Sequence, residues 1–202
     1  MRIYLQTDRL TLRRFTEDDV DNLFDLNSDP AVMRYLTGGE PTPREEIRDH
    51  MIPFHLGVYE RSDQFGTWAA EARSTGEFLG WFHFRSVPGE GVDLGYRLCR
   101  AAWNQGYATE GSRALIDKGF TDLGVQRVFA HTLTVNTASR RVLEKCGLIL
   151  VRTSRYDGPG PIEGSEHGEV EYELTRSRWE TQASGDAPDP VSATGPRAGS
   201  ES

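Results

Sequence analysis

Apolar and polar residues alternate from Leu10 to Arg14, which is the period of a half-buried strand. Thr16 then opens a helix: its hydroxyl caps the first turn, Asp19 three residues on answers it as in a capping box, and Val20, Leu23, Phe24 and Asn27 mark one face. Asp29 as cap with Pro30 at the first helical position restarts a short helix. Thr42, Pro43 and Glu45 repeat that grammar, and the helix they begin carries Ile47, Met51, Phe54 and Val58 at spacings of four, three and four, a predicted core-facing stripe.

Three strands are predicted next, over Phe65 to Ala72, Glu77 to Arg85 and Gly91 to Leu98, joined by the tight turns "RSTG" and "VPGEG" as an antiparallel meander. A helix follows to about Leu123, then a strand at Arg127 to Thr134 and a helix at Thr137 to Lys145. The last strands are predicted near Leu148 to Tyr156 and Val170 to Thr175. This order predicts a mixed α/β domain with one central, largely antiparallel sheet flanked by helices. One domain is expected over residues 1–180. Residues 181–202, rich in Ser, Pro, Gly and Ala with almost no large apolar residue, are expected to form a disordered tail.

Composition narrows the function. The chain has 202 residues, 37% hydrophobic and 27% charged, the mix of a soluble globular protein of one domain. A formal net charge of -8 argues against nucleic-acid binding, which needs clustered Lys and Arg, and leans toward cationic partners. No apolar run reaches the roughly 18 residues of a membrane span, and the N-terminus lacks the apolar centre of a secretory signal, so a cytoplasmic location is expected. Cys99 and Cys146 stand apart and read as small buried hydrophobes. The five histidines show no ligand pair at i, i+4, so no metal is expected.

The stretch "AAWNQGYATEGSRALI", Ala101 to Ile116, runs from a glycine turn into a helix. Gly106 lets the backbone approach a ligand, and the first helical turn presents unpaired N–H groups that attract phosphate. The same residues also suit an ordinary strand-to-helix turn, and no Gly-x-x-x-x-Gly-Lys-Ser/Thr or Gly-x-Gly-x-x-Gly loop occurs.

Two motifs about 25 residues apart, "WNQGYATE" and "NTASRRVLEKCGL", make the segment Val92 to Leu148 resemble the cofactor-binding half of the GNAT superfamily of acyl-CoA N-acyltransferases. The branch it most resembles contains the ribosomal-protein N-terminal acetyltransferases and their small-substrate relatives, and "TDRLTLRRFTEDDVDNLFDLNSDPAVMRYL" is similar to that branch too. The resemblance implies acetyl-CoA as co-substrate, with its pyrophosphate on backbone groups of Gln105, Gly106, Tyr107, Ala108 and Thr109. It implies that Leu98, Cys99 and Arg100 pair with the pantetheine arm, and that Asn136 and Ser139 bind an arm of the coenzyme, Ser139 also offering a hydroxyl to the leaving sulfur. The family's usual Gln or Arg three residues before the Gly is here Trp103, whose side chain has no assigned role.

Acetyl transfer to an amine needs a base, because a free amine is mostly protonated at neutral pH. Asp93, on the strand leading into the loop, is the first candidate, and Glu166 beside His167 in the late polar segment is the second. Each also reads as an ordinary surface residue. An amide near Arg97 to Cys99 is expected to polarise the carbonyl, while Asn136 also suits a helix cap, and Arg140 and Arg141 either touch nucleotide phosphates or coat their helix. The expected activity is N-acetylation of a primary amine, a protein N-terminus or a small molecule, by direct attack in a ternary complex. A non-catalytic acyl-CoA-binding sensor or scaffold is the alternative, and many relatives pair as homodimers.

Overall fold

A computed structural model describes residues 2–158 and 162–184. Eight strands form one sheet in the order β1 (Ile3–Gln6), β2 (Leu10–Arg13), β3 (Gly66–Ala72), β4 (Phe78–Val87), β5 (Gly91–Leu98), β6 (Arg127–Leu133), β8 (Glu169–Thr175), β7 (Ile149–Ser154). Every neighbouring pair is antiparallel except β5 with β6, which is parallel and so requires a crossover, supplied by helix α5 (Tyr107–Thr121). The mixed sheet expected from the alternation is therefore present. No helix among the described residues is long and apolar enough to cross a membrane.

The period of two along β4 and β5 sorts the helices onto the two faces. Phe82 and Phe84 point toward α5, which comes so close that a Cβ on Gly111 would sit 2.4 Å from the Phe82 ring and one on Gly119 2.6 Å from the Phe84 ring. Helix α6 (Thr137–Lys145) packs beside α5. Trp81 and Arg97 point the other way, toward α1 (Val20–Ser28) and α2 (Pro30–Thr37). On that face Arg13 is buried and holds both Asp19 oxygens at 2.7 Å and Glu71 at 2.6 Å, so the residue expected only to close a capping box also neutralises a buried guanidinium.

The helix predicted from Thr42 onward departs from its expected stripe. It is built as α3 (Arg44–Glu46), a π-helical turn Ile47–Met51 and α4 (Ile52–Arg61). Pro53 has no N–H to offer the preceding turn, and the wider turn absorbs that loss. The extra residue rotates everything downstream, so Ile52 and Tyr59 are buried while Phe54, expected in the core, is 54% exposed.

Two elements were not foreseen. β1 is only four residues long, and it is anchored by Tyr4 stacked on Trp68 at 3.8 Å between ring centroids. Helix α7 (Arg176–Ala183) packs Trp179 against Phe120 at 5.2 Å, so regular structure continues to Ala183, past the expected domain limit. Residues 185–202, the rest of the expected tail, lie outside the described residues.

Two of the helical glycines, Gly111 and Gly57, should respond oppositely to alanine. Gly111→Ala overpacks Phe82 and should lose about 1–3 kcal/mol of stability in urea unfolding. Gly57→Ala, whose Cβ would meet nothing within 4 Å, should gain roughly 0.4–1 kcal/mol by reducing unfolded-chain entropy.

Candidate active site

The parallel pair β5 and β6 is joined only at Val92 with Val128 and at Asp93 with Phe129. Beyond those residues β5 stays paired to β4 as far as Leu98, and β6 stays paired to β8 as far as Leu133. The two strands therefore separate, and their facing main-chain edges are left open in a wedge. Tyr96 of β5 reaches from this wedge to α6, where its hydroxyl lies 3.2 Å from Ser139 Oγ. Burial pushes the Tyr96 phenol up to about 12, so at neutral pH it remains a protonated donor. Asn136 caps α6, accepting from the Ser139 N–H at 3.2 Å, and this fixes the height of Ser139 beside the wedge.

At the open end of β5 the chain enters the glycine loop. Trp103 Nε1 donates to the Leu98 carbonyl at 2.8 Å and Gln105 Nε2 to the Ala101 carbonyl at 2.6 Å, so both side chains staple the loop to itself. This gives Trp103 the role that no motif assigned. Gly106, at φ +84°, caps α5 in a left-handed conformation that favours glycine. The Gly106 carbonyl accepts from the Glu110 N–H, while the N–H groups of Tyr107, Ala108 and Thr109 precede the first helical partner and stand free at the positive end of the helix dipole. Arg9, from the β1–β2 turn, braces the arrangement by donating to the Gln105 carbonyl at 2.9 Å and to Glu110 at 2.6 Å, which turns that carboxylate away from the amides. Cys99 is tied too: its N–H donates to the Leu79 carbonyl and its own carbonyl accepts from Ala102, while the Arg100 carbonyl accepts from Trp103.

The opposite face of β4 and β5 carries a polar cluster. The register pairs Trp81 with Arg97, His83 with Gly95 and Arg85 with Asp93. Because residue 95 has no side chain, the His83 ring lies across it, and a Cβ there would come within 2.5 Å of the imidazole. His83 Nε2 thereby reaches Asp93 Oδ2 at 3.2 Å, and Arg85 holds the same oxygen at 3.1 Å. Burial drives the His83 pKa down more than Asp93 raises it, so the ring is neutral at pH 7 and donates Nε2–H to the carboxylate. Burial opposes ionisation of Asp93, but the contacts with His83 and Arg85 outweigh it and hold the carboxyl below its usual range. Asp93 is thus ionised and already engaged. His55 of α4 stacks on Phe15 at 5.0 Å, and burial, then the nearby charge of Arg85 and that of His83 where it is protonated, lower it to about 4.

Asp93, Ser139 and the loop residues border one wedge, and the turn that carries Glu166 sits against Val135, just past the end of β6. The Glu166 carboxylate is exposed, in the turn Ser165–His167, with the His167 ring 3.6 Å away. The late segment instead reaches the α2 side through Glu163, which pairs with Arg34. Arg140 donates to the Tyr172 hydroxyl and the Thr134 carbonyl, both at 3.1 Å, as a strut between α6 and the sheet. Among the described residues no three His, Cys, Asp or Glu side chains gather as a metal site would require. The side chains of His83, Tyr96 and Arg97 were not foreseen, Arg97 having been named only for its backbone. Their signal lies in the hairpin: with Val87 opposite Gly91, pairing back along both strands puts His83 on Gly95 and Arg85 on Asp93.

The sequence matches the acetyltransferase (GNAT) domain over residues 9–149. It is 36% identical over 187 residues to the FsC-acetyl coenzyme A-N(2)-transacetylase of Aspergillus fumigatus, covering 87% of this chain and 77% of that protein. An uncharacterized N-acetyltransferase of Bacillus subtilis, YoaA, is 33% identical over 145 residues, 71% of this chain and 81% of its own. Among solved structures, a GNAT-family acetyltransferase of Bacillus anthracis superposes with a TM-score of 0.72 at 24% identity, covering 88% of this chain and 99% of that one. The ribosomal L7/L12 α-N-protein acetyltransferase RimL, in complex with coenzyme A, superposes with a TM-score of 0.73 at 19% identity, over 86% and 98% of the two chains. The chain belongs to the GNAT acetyltransferase family.

The buried histidines set an acid limit. His55 has its folded pKa depressed from 6.5 to about 4, so between those values the unfolded chain binds a proton the folded chain refuses, and stability falls as pH drops through that window. His83 acts in the same direction. Replacing the ring by His55→Phe should flatten stability against pH between 6.5 and 4, removing up to about 1.4 kcal/mol per pH unit from the slope, as urea midpoints would record.

Proposed function

We propose that this chain transfers the acetyl group of acetyl-CoA to a primary amine by direct attack within a ternary complex. The observation that carries this reading is the wedge between β5 and β6, which opens between a loop of unpaired helix-terminal amides on one face and a polar cluster on the other. The amides of Tyr107, Ala108 and Thr109, with Gln105 and Gly106 shaping their approach, suit the coenzyme's pyrophosphate, and they need no lysine to do so. The open edge of β5 suits its pantetheine arm. Because the main-chain groups of Leu98 to Arg100 largely bond within the loop, that pairing falls mainly to the part of β5 between Asp93 and Leu98.

Bound there, acetyl-CoA would supply the activated acetyl group; the remaining chemistry belongs to the protein. His83, neutral and held through Nε2 by Asp93, keeps its Nδ1 as a proton acceptor, so in this reading the imidazole is the base and Asp93, expected as the base itself, orients it. Tyr96, protonated and 3.2 Å from Ser139, forms with it a hydroxyl pair at the wedge that can return a proton to the departing sulfur. Glu166 takes no proton-transfer role in this reading. The N(2)-transacetylase named among the relatives supports an amine as acceptor.

Thiol release from acetyl-CoA across a broad panel of amines tests the reading. Coenzyme-induced thermal stabilisation with no turnover on any amine would replace it with an acyl-CoA sensor. Gly106→Glu, which strains the cap and sets a negative charge at the amides, should weaken acetyl-CoA binding by at least about 100-fold. Asp93→Asn and His83→Gln should each lower kcat by about 100-fold or more with coenzyme affinity nearly unchanged. Wild-type activity should fall below a pKa under 6.5, an acid limb that His83→Gln loses.

A further inference from the structure

Arg97 stands on β5 two residues past Gly95, on the same face as His83 and Asp93. Its guanidinium packs over the Trp81 ring at 5.1 Å, and Nη1 donates to the Asn27 side chain at the end of α1. Among the described residues Nε and Nη2 make no hydrogen bond, Nε is sealed from solvent, and no carboxylate lies within 4 Å of the group. Burial alone pulls its pKa down, to about 10, which leaves it charged at neutral pH. A half-buried cation with unmade hydrogen bonds costs the fold stability, and an anion meeting the open Nη2 would offset part of that cost.

The remaining charges on this face sharpen the point. From β4 come Arg85 and the neutral His83, from α4 the neutral His55, and from β5 Asp93, which Arg85 and His83 already engage. The buried acids Asp19 and Glu71 are both held by Arg13. Asp25 and Asp29 lie toward Cys99, and Asp29 caps α2. Among the described residues the acids beside His83 and Arg97 are thus engaged, Asp25 being exposed on α1, and Arg97 offers one guanidinium donor, Nη2, that is neither bonded nor sealed.

We propose that Arg97 anchors a carboxylate on the amine acceptor, so that the preferred acceptors are amino acids or similar monoamines with a carboxylate a few bonds from the amine. The proposal rests on the acetyltransferase reading. Along β5 the two residues from Gly95 to Arg97 span about 7 Å, which lets one small molecule meet the His83 ring and the guanidinium together. An anchor at this one guanidinium also runs against what the net charge of -8 suggests about partners.

The test measures kcat/KM by thiol release for the twenty amino acids, their carboxamides and spermidine, with wild type, Arg97→Met and Arg97→Lys. Wild type should favour carboxylates. Arg97→Met should lose on the order of 100-fold on them, mainly through KM, and less than about threefold on carboxamides, while Arg97→Lys recovers part of the loss. Equal losses on both classes, or a wild-type preference for carboxamides or spermidine, overturns the anchor. If Arg97→Met does not fold, as acetyl-CoA-induced thermal stabilisation would report, the wild-type preference and Arg97→Lys decide. If no amine releases thiol, the acetyltransferase reading fails, and calorimetry of the amino acids on the CoA-loaded protein decides the anchor separately. Binding that Arg97→Lys weakens supports it, and no binding overturns it.

Discussion

The two residue pairs that join β5 to β6 are the constraint on which the site depends. A parallel pair needs a crossover, and α5 provides it, so the strand that ends at the wedge and the helix that begins beside it belong to one connection. Had the strands stayed paired to their ends, the edges of β5 and β6 would have satisfied each other. Their separation leaves backbone groups seeking partners within a few ångströms of a helix N-terminus doing the same. The fold tolerates this because both strands remain fully paired on their outer sides, to β4 and β8.

Rigidity is concentrated around that opening. Gly111 and Gly119 press α5 onto Phe82 and Phe84, while Arg9 and the indole of Trp103 pin the loop between them and the end of β5. On the acceptor side the Arg13, Asp19 and Glu71 network fixes β2 and β3 to the start of α1, and its breaking would leave buried charge uncompensated. Function is held by the segments that the packing least allows to move, apart from the late segment, which Arg34 and Glu163 join to α2 at an exposed pair.

Much of this was legible in the residues. Alternation disclosed β2 to β6, cap residues disclosed α1, α2 and α6, and the "WNQGYATE" and "NTAS" pair disclosed the loop together with Asn136 and Ser139. What escaped reading depends on interactions with no local period. Phe54 was misassigned because one π-helical turn ahead of Pro53 resets the helical phase, which a spacing count passes over. Trp103 could not be placed because its partner, a strand carbonyl, has no sequence signature. Asp93 was singled out, while His83, ten residues earlier, was passed over because their meeting depends on strand register.

Gly95 marks where this architecture resists change. The imidazole occupies the volume a methyl group would take, so the chemistry there is specified by a missing carbon. Trp81 stacks on the same ring from along β4, at 5.7 Å between centroids, a contact that depends on surface and not on an absent atom. A change at residue 95 would instead push His83 off Asp93 and leave that half-buried carboxylate with one partner fewer. Two kinds of constraint therefore lie along one hairpin, the first set by what fills a volume, the second by a space that must stay empty.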